Sequence, residues 1–191
     1  MKDKIVGFKG DEVVYMSVGD GTTSEGEWWE ALNTASNLKL PVIFVVENNQ
    51  YGLSTPVSEQ YACVNLADRG VGYGMPGVVC DGNDLLAVIR AIREAAARAR
   101  QGDGPTLLEF KTFRMRGHEE ASGTAYVPDA LFEEWAKRDP LLRFEQTLDA
   151  RGVMPAEERE ALRRTIKDDI DRLVDDGVEA EDPVSTAEEE L

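Results

Sequence analysis

Apolar positions follow two rhythms along this chain. Residues 12–18, Glu-Val-Val-Tyr-Met-Ser-Val, form a short β-branched run that ends in Gly19-Asp20-Gly21. That pattern predicts a buried strand leading into a tight turn. Thr22-Thr23-Ser24-Glu25 then offers caps and a first-turn carboxylate for a helix on which Trp28, Trp29, Ala31, Leu32, Ala35 and Leu38 recur at helical spacing. Pro41 stops that helix, and residues 42–46, Val-Ile-Phe-Val-Val, are a continuous apolar run of the kind found in strands covered on both faces. Strand, helix and strand make a βαβ unit, whose two strands lie parallel. Asp20 and Asn48-Asn49 are therefore expected at carboxyl ends of one sheet, facing one crevice.

The same reading continues downstream. Residues 77–80 predict a third strand, and Asp81-Gly82-Asn83 turns into a helix with an apolar stripe of Leu85, Val88, Ile89 and Ile92 that ends near Gly102. Residues 105–114 predict a fourth strand, and residues 117–128 a mobile polar loop. From 129 to 174 the pattern predicts helices broken at Pro140 and Pro155, with Leu141, Leu142, Phe144, Leu148, Leu162, Ile166, Ile170 and Leu173 on buried faces. The expected class is α/β, a mostly parallel sheet with helices on both faces followed by C-terminal helices. The expected organisation is an α/β ligand-binding region at 1–127, a helical region at 128–175 and an acidic tail or linker at 176–191.

Composition narrows the partners. With 191 residues and 42% apolar content the chain suits one sizeable core and a short appendage. No apolar run approaches the roughly 20 residues that span a bilayer. No signal-peptide apolar region follows the basic start, so no membrane association and a cytoplasmic location are expected. Cys63 and Cys80 are the only cysteines and form no disulfide framework or zinc pattern. A net charge of −16 repels phosphate backbones, which makes nucleic acid an improbable partner. A phosphorylated ligand would then need a local device such as a bridging cation or oriented backbone N–H groups.

The two strand ends can supply that device. Asp20 offers a carboxylate, Asn49 an amide oxygen and Tyr51 a backbone carbonyl, a set of hard oxygen ligands suited to Mg²⁺ with phosphate oxygens and water. Gly19 closes the strand. Gly21 and Thr22 stand where a helix N-terminus would meet phosphates, and glycine permits close approach. Taken alone, Gly-Asp-Gly also fits an ordinary turn. His118, the only histidine, opens the long loop after a basic strand end, a place for a group that exchanges protons near neutral pH. Arg114 and Arg116 suit phosphate contact, ordering of that loop or a solvated strand end.

Gly19-Asp20-Gly21 followed by Asn48-Asn49 resembles the signature of thiamine diphosphate enzymes. Glu47 to Gly52, Tyr73 to Gly77, Asp81-Gly82-Asn83-Asp84 and Phe113 to His118 resemble the alpha chain of the E1 component of 2-oxo acid dehydrogenase complexes, and the likeness runs on into the Asp139-Pro140 region. The resemblance implies a magnesium-bound thiamine diphosphate that attacks a 2-oxo acid, releases carbon dioxide and passes the acyl group to a lipoyl carrier. It assigns magnesium to Asp20, Asn49 and the Tyr51 carbonyl, the cofactor's diphosphate to Gly21 and Thr22, a further cofactor contact to Gly19, and the reacting centre to His118. It also implies an E1 beta chain, separate or fused, a lipoyl-bearing E2 component and an oligomer. Glu119 stands where regulated members carry a phosphorylated serine, so kinase control of that site is not expected.

The likeness covers roughly the second half of the family's alpha chain. The first half would supply an arginine and a tyrosine near the diphosphate, and the beta chain the glutamate that activates the cofactor, so this polypeptide is not expected to turn over substrate alone. Other readings are a transketolase-like enzyme, a non-catalytic assembly fragment, and a generic doubly wound domain in which Asp20 only caps a helix. Ser24-Glu25-Gly26 hints at branched-chain substrates over pyruvate or acetoin.

Overall fold

The structure, a computed structural model, describes residues 10–119, 121–182 and 184–185. The chain divides into two compact units, residues 1–144 and 145–191. The first is built on a four-stranded parallel sheet in the order β1 (Val14–Gly19), β2 (Val42–Asn48), β6 (Thr106–Lys111), β5 (Gly77–Asp81). The expected βαβ unit is present: α1 (Gly26–Asn37) links β1 to β2, and the two strands pair parallel with Val14 opposite Val42 and Gly19 opposite Glu47.

Side chains alternate across a strand, and β2 uses both faces. Phe44 and Val46 pack with Trp28, Leu32 and Ala35 of α1, joined by Leu107, Leu66 and Met75. Ile43 and Val45 turn the other way, onto Ala91 and Ala95 of α3 (Leu85–Arg100) with Leu108 and Phe110. This double coverage is why residues 42–46 read as an unbroken apolar run rather than an alternating one. Helix α3 starts where predicted because the Asp84 carboxylate accepts from Leu86 N at 3.0 Å and Ala87 N at 3.1 Å, a side-chain N-cap.

One charge sits inside this core. Glu109 of β6 is fully buried, and its carboxylate accepts from Asn48 Nδ2 at 2.6 Å and Ala67 N at 2.8 Å, with Lys111 Nζ at 2.6 Å. Three partners offset its desolvation. The Ala67 bond fastens the 3-10 segment Leu66–Tyr73 beneath the sheet. At Gly77 a Cβ would stand 1.9 Å from the Ala67 carbonyl oxygen, so only glycine lets β5 pass that segment.

Two expectations need correction. The first helix begins at Gly26 and not at Thr22. Gly21–Ser24 is a separate 3-10 turn, and Glu25 is extended at φ −74° and ψ 145°. The apolar stripe of the C-terminal helices is also not buried. Helix α4 spans Asp129–Ala136, and in α5 (Pro140–Arg151) Leu141 and Leu142 are exposed while Phe144 and Leu148 are half-buried. In α6 (Ala156–Glu179) Leu162, Ile166, Ile170 and Leu173 are all exposed. Periodicity defines a face, and says nothing of what covers it. The helix breaks at Pro140 and Pro155 are as expected: Pro140 is the first residue of α5, and Pro155 immediately precedes α6. Helix α6 runs four residues past Asp175, to Glu179, because ion pairs one turn apart, Arg172 with Asp176 among them, let an acidic stretch stay helical.

Candidate functional site

Where β1 and β2 end, the chain opens a cavity of about 490 Å³. Asp20 follows the last residue of β1, and Asn49 follows the last residue of β2. Gly19, Gly21 and Thr22 line the cavity beside Asp20, and Tyr51 lines it beside Asn49. His118 reaches the same cavity from the loop beyond β6, together with Arg114. The structure therefore brings Gly19, Asp20, Gly21, Thr22, Asn49, Tyr51, Arg114 and His118 to one cavity, while Arg116 and Asn48 do not line it.

Asp20 is the deepest of them, only 1% exposed. Its Oδ2 accepts from Gln60 Nε2 at 2.7 Å, while its Oδ1 is buried with no hydrogen-bond partner. Asp20 stands at the N-cap position of the 3-10 turn that follows, but its carboxylate makes no capping bond there. The capping reading fails on that point. A buried carboxylate oxygen without a donor is costly, and is the kind of atom a bound cation satisfies. Thr23, also buried, donates its hydroxyl to the Asp20 carbonyl at 2.7 Å and holds the turn closed.

The paired asparagines divide their work. Asn48 is fully buried, its Nδ2 donating to Glu109 and to the Tyr61 hydroxyl at 2.8 Å, its Oδ1 accepting from Gln50 N and Nε2, each at 3.2 Å. It is committed to structure. Asn49 faces the cavity, with its Oδ1 accepting only a 3.2 Å bond from Tyr51 N among the bonds described. Burial pushes the Tyr61 phenol up to about 12, with the charges of Glu109 and Asp20 adding to the rise.

The Tyr51 ring packs in an aromatic cluster with Phe113 at 6.3 Å and Tyr126 at 5.8 Å. The backbone around it is strained. Gln50 has φ 77° and Leu53 φ 55°, left-handed values that cost roughly 1–2 kcal/mol for residues with a Cβ. Strain of this kind concentrates at functional sites. Tyr51–Gly52 (β3) pairs antiparallel with Thr55–Pro56 (β4), and the short helix α2 (Val57–Gln60) then carries Gln60 back to Asp20. A Cβ on Gly21 would stand 3.1 Å from Gly52 Cα, so the two glycines let the strand ends close on each other.

His118 is exposed at the cavity mouth. Its Nδ1 lies 3.2 Å from Arg114 Nη1, and a guanidinium only donates, so Nδ1 accepts and the imidazole proton sits on Nε2. Arg114 also donates to the Leu53 carbonyl, to the Tyr126 hydroxyl at 2.9 Å and to the Arg116 carbonyl at 3.2 Å. Of the roles open to Arg114, ordering the loop is the one these bonds describe. The loop expected to be polar also carries apolar anchors: Val127 is buried in the cluster with Tyr51 and Phe113, and Tyr126 packs on it. Gln60 was missed altogether. The available signal was Pro56, which stands immediately before the short helix that carries Gln60.

The donor set suits a hard cation. Among the described residues no group of three or more His, Cys, Asp or Glu could hold a metal, and the candidate ligands are one carboxylate, one amide and one carbonyl. Also among the described residues, no helix is long and apolar enough to cross a membrane.

The family model for the dehydrogenase E1 component matches residues 7–184. The chain is 39% identical over 172 residues to 2-oxoisovalerate dehydrogenase subunit alpha of Bacillus subtilis, covering 90% of this chain and 51% of that one. It is 46% identical over 144 residues to 3-methyl-2-oxobutanoate dehydrogenase subunit alpha of Mycobacterium tuberculosis, covering 75% and 39%. To the pyruvate dehydrogenase E1 component subunit alpha of Acholeplasma laidlawii it is 41% identical over 164 residues, covering 85% and 48%. The chain spans about half the length of the curated relatives it matches.

Proposed function

This chain belongs to the dehydrogenase E1 component family, and from that premise we propose that it is an E1 alpha-type subunit, or a fragment of one, whose cavity binds magnesium thiamine diphosphate. The reaction served is oxidative decarboxylation of a 2-oxo acid, of the pyruvate or branched-chain type, with transfer of the acyl group to a lipoyl carrier. The single observation that carries this reading is the buried Asp20 carboxylate with Oδ1 unpartnered in a cavity shared with Asn49, Tyr51 and His118.

Asp20, the Asn49 amide oxygen and the Tyr51 carbonyl would hold the magnesium, and the Gly21 and Thr22 backbone would meet the diphosphate. Gly21 and Thr22 open a 3-10 turn, whose first N–H groups have no partner inside the turn. The bound cofactor supplies the carbanion chemistry. The chain's own residues orient it and manage protons: His118, with its proton on Nε2, can donate at the cavity mouth, and Arg114 fixes that tautomer. An E1 beta chain and a lipoyl-bearing E2 component are the partners this reading requires, in an oligomer. The matches favour a dehydrogenase over a transketolase-like enzyme.

Calorimetry with Mg²⁺ and thiamine diphosphate, alone and with a candidate beta chain, tests the proposal. Binding that Asp20→Ala abolishes supports it, and decarboxylation of a panel of 2-oxo acids by the mixture would name the substrate. Absence of binding even with the beta chain present favours a non-catalytic assembly fragment.

A further inference from the structure

We propose that Gln60 is a positioning residue of the cation site: its amide N–H turns the Asp20 carboxylate so that Oδ1 faces the cavity, and its Oε1 receives a hydrogen from cation-bound water. The inference rests on the reading that Asp20 holds a divalent cation.

The orientation of the Gln60 amide is fixed by chemistry. Nε2 donates to Asp20 Oδ2 at 2.7 Å and to the Thr55 carbonyl at 2.9 Å, and both are acceptors. Flipping the amide would put Oε1 against two oxygens, so Nε2 faces them and Oε1 does not. Oε1 is then left buried without a hydrogen-bond partner, the same condition as Asp20 Oδ1. Both residues line one cavity. The other atoms in this condition among the described residues, Arg98 Nε and Thr106 Oγ1, belong to residues that do not line it.

A wall carrying two buried acceptors and no donor for either matches a cation with its hydration shell, because a cation satisfies a carboxylate oxygen and its waters donate to an amide oxygen. Magnesium keeps several waters when bound by one or two carboxylates, which gives Oε1 a partner without making it a ligand. The seat under the amide is also specific. A Cβ on Gly52 would come within 3.2 Å of Gln60 Cδ, Nε2 and Oε1, so glycine at that position lets the side chain lie against the β3–β4 hairpin.

The test uses the full chain and Mn²⁺ as probe, with binding read from loss of the free-ion electron paramagnetic resonance signal and Asp20→Ala as the baseline. Gln60→Leu keeps the bulk and removes the amide, and should weaken binding about 10–100-fold, the usual effect of removing a group that orients a ligand. Gln60→Glu places two carboxylates against each other, so the metal-free thermal midpoint should fall and Mn²⁺ should restore it. A purely structural amide would not show that recovery. Gly52→Ala, which displaces the amide without changing it, should weaken binding by less than Gln60→Leu, and decides the question if the leucine variant fails to fold. Equal Mn²⁺ binding by wild type, Gln60→Leu and Gly52→Ala overturns the role of Gln60 alone. Absence of Asp20-dependent binding in the wild type overturns the cation reading, and this inference with it.

Discussion

The two units of this chain break opposite rules. The α/β unit hides polar groups, with Asp20 and Glu109 almost or entirely out of solvent, while the helical unit shows apolar ones, with Ile170 54% and Leu173 58% exposed along α6. Glu109 has its partners within the fold and Asp20 has one oxygen without. The lesson is that a pattern and its satisfaction are separate facts. An apolar stripe at helical spacing describes a helix surface equally well whether something lies on it or not, and a buried carboxylate is structural or functional according to what its oxygens meet.

The largest effect should come from making one change in both units. Leu32 of α1 is 0% exposed in the core with Phe44 and Trp28, so Leu32→Ala should cost about 3 kcal/mol. Leu162 of α6, at 49% exposure, should lose no more than about 0.5 kcal/mol on the same truncation. Denaturant unfolding of the two variants measures both. A Leu162→Ala chain that unfolds as readily as Leu32→Ala would erase the contrast between the units.

At the cavity the contrast takes another form, because there a buried carboxylate keeps one oxygen without a hydrogen-bond partner. Asp20→Asn retains the shape and an acceptor while removing the charge. Cation binding should fall at least about 100-fold, the loss expected when a buried charge interaction of roughly 3 kcal/mol goes, while the metal-free thermal midpoint holds or rises. A midpoint that drops sharply would place Asp20 with Glu109, as a residue the fold itself requires.

Much of this was legible in the sequence, and for identifiable reasons. Residues 42–46 read as a doubly covered strand because both faces of β2 do meet helices. The positions of Asp20 and Asn49 followed from the parallel βαβ rule, since strand ends in such a unit have little freedom. What escaped was set by long-range contact. Gln60 meets Asp20 across 40 positions, and among the partners that separate Asn48 from Asn49 in role is Glu109, 61 positions away. The start of α1 was misplaced because Thr22, Thr23 and Ser24 are equally good at capping a helix and at closing the 3-10 turn they do form. The exposed face of α6 was unreadable in principle, since burial there depends on neighbours that periodicity does not name.

Ion pairs draw the comparison finest. Asp81, at the end of β5, receives Arg143 Nη1 at 2.8 Å and the Asn83 N–H at 2.9 Å, with Arg138 Nη2 at 3.6 Å. Burial alone would raise its carboxyl, but the Arg143 and Asn83 hydrogen bonds, with the charges of Arg143 and Arg138, outweigh it and hold the group below the usual carboxylate range. A carboxyl lowered on folding adds stability that is complete above its unfolded value of about 3.9 and is lost as pH falls through the folded one. Wild type should therefore exceed Asp81→Asn in stability at neutral pH, and the two should converge in strong acid, as acid-dependent denaturant midpoints would show.

On α6 the Lys167–Asp171 pair looks similar and should do almost nothing. The Asp171 hydrogen bond and charge raise the Lys167 amine, yet that side chain is 73% exposed, so water and dissolved ions screen this pair, whereas the Asp81 side chain, at 33% exposure, is partly shielded. Lys167→Ala should leave the unfolding midpoint unchanged at low and at high salt. A loss that appears at low salt and vanishes at high salt would show that the pair is not fully solvated, and that the helical unit, like the α/β unit, draws stability from its charges.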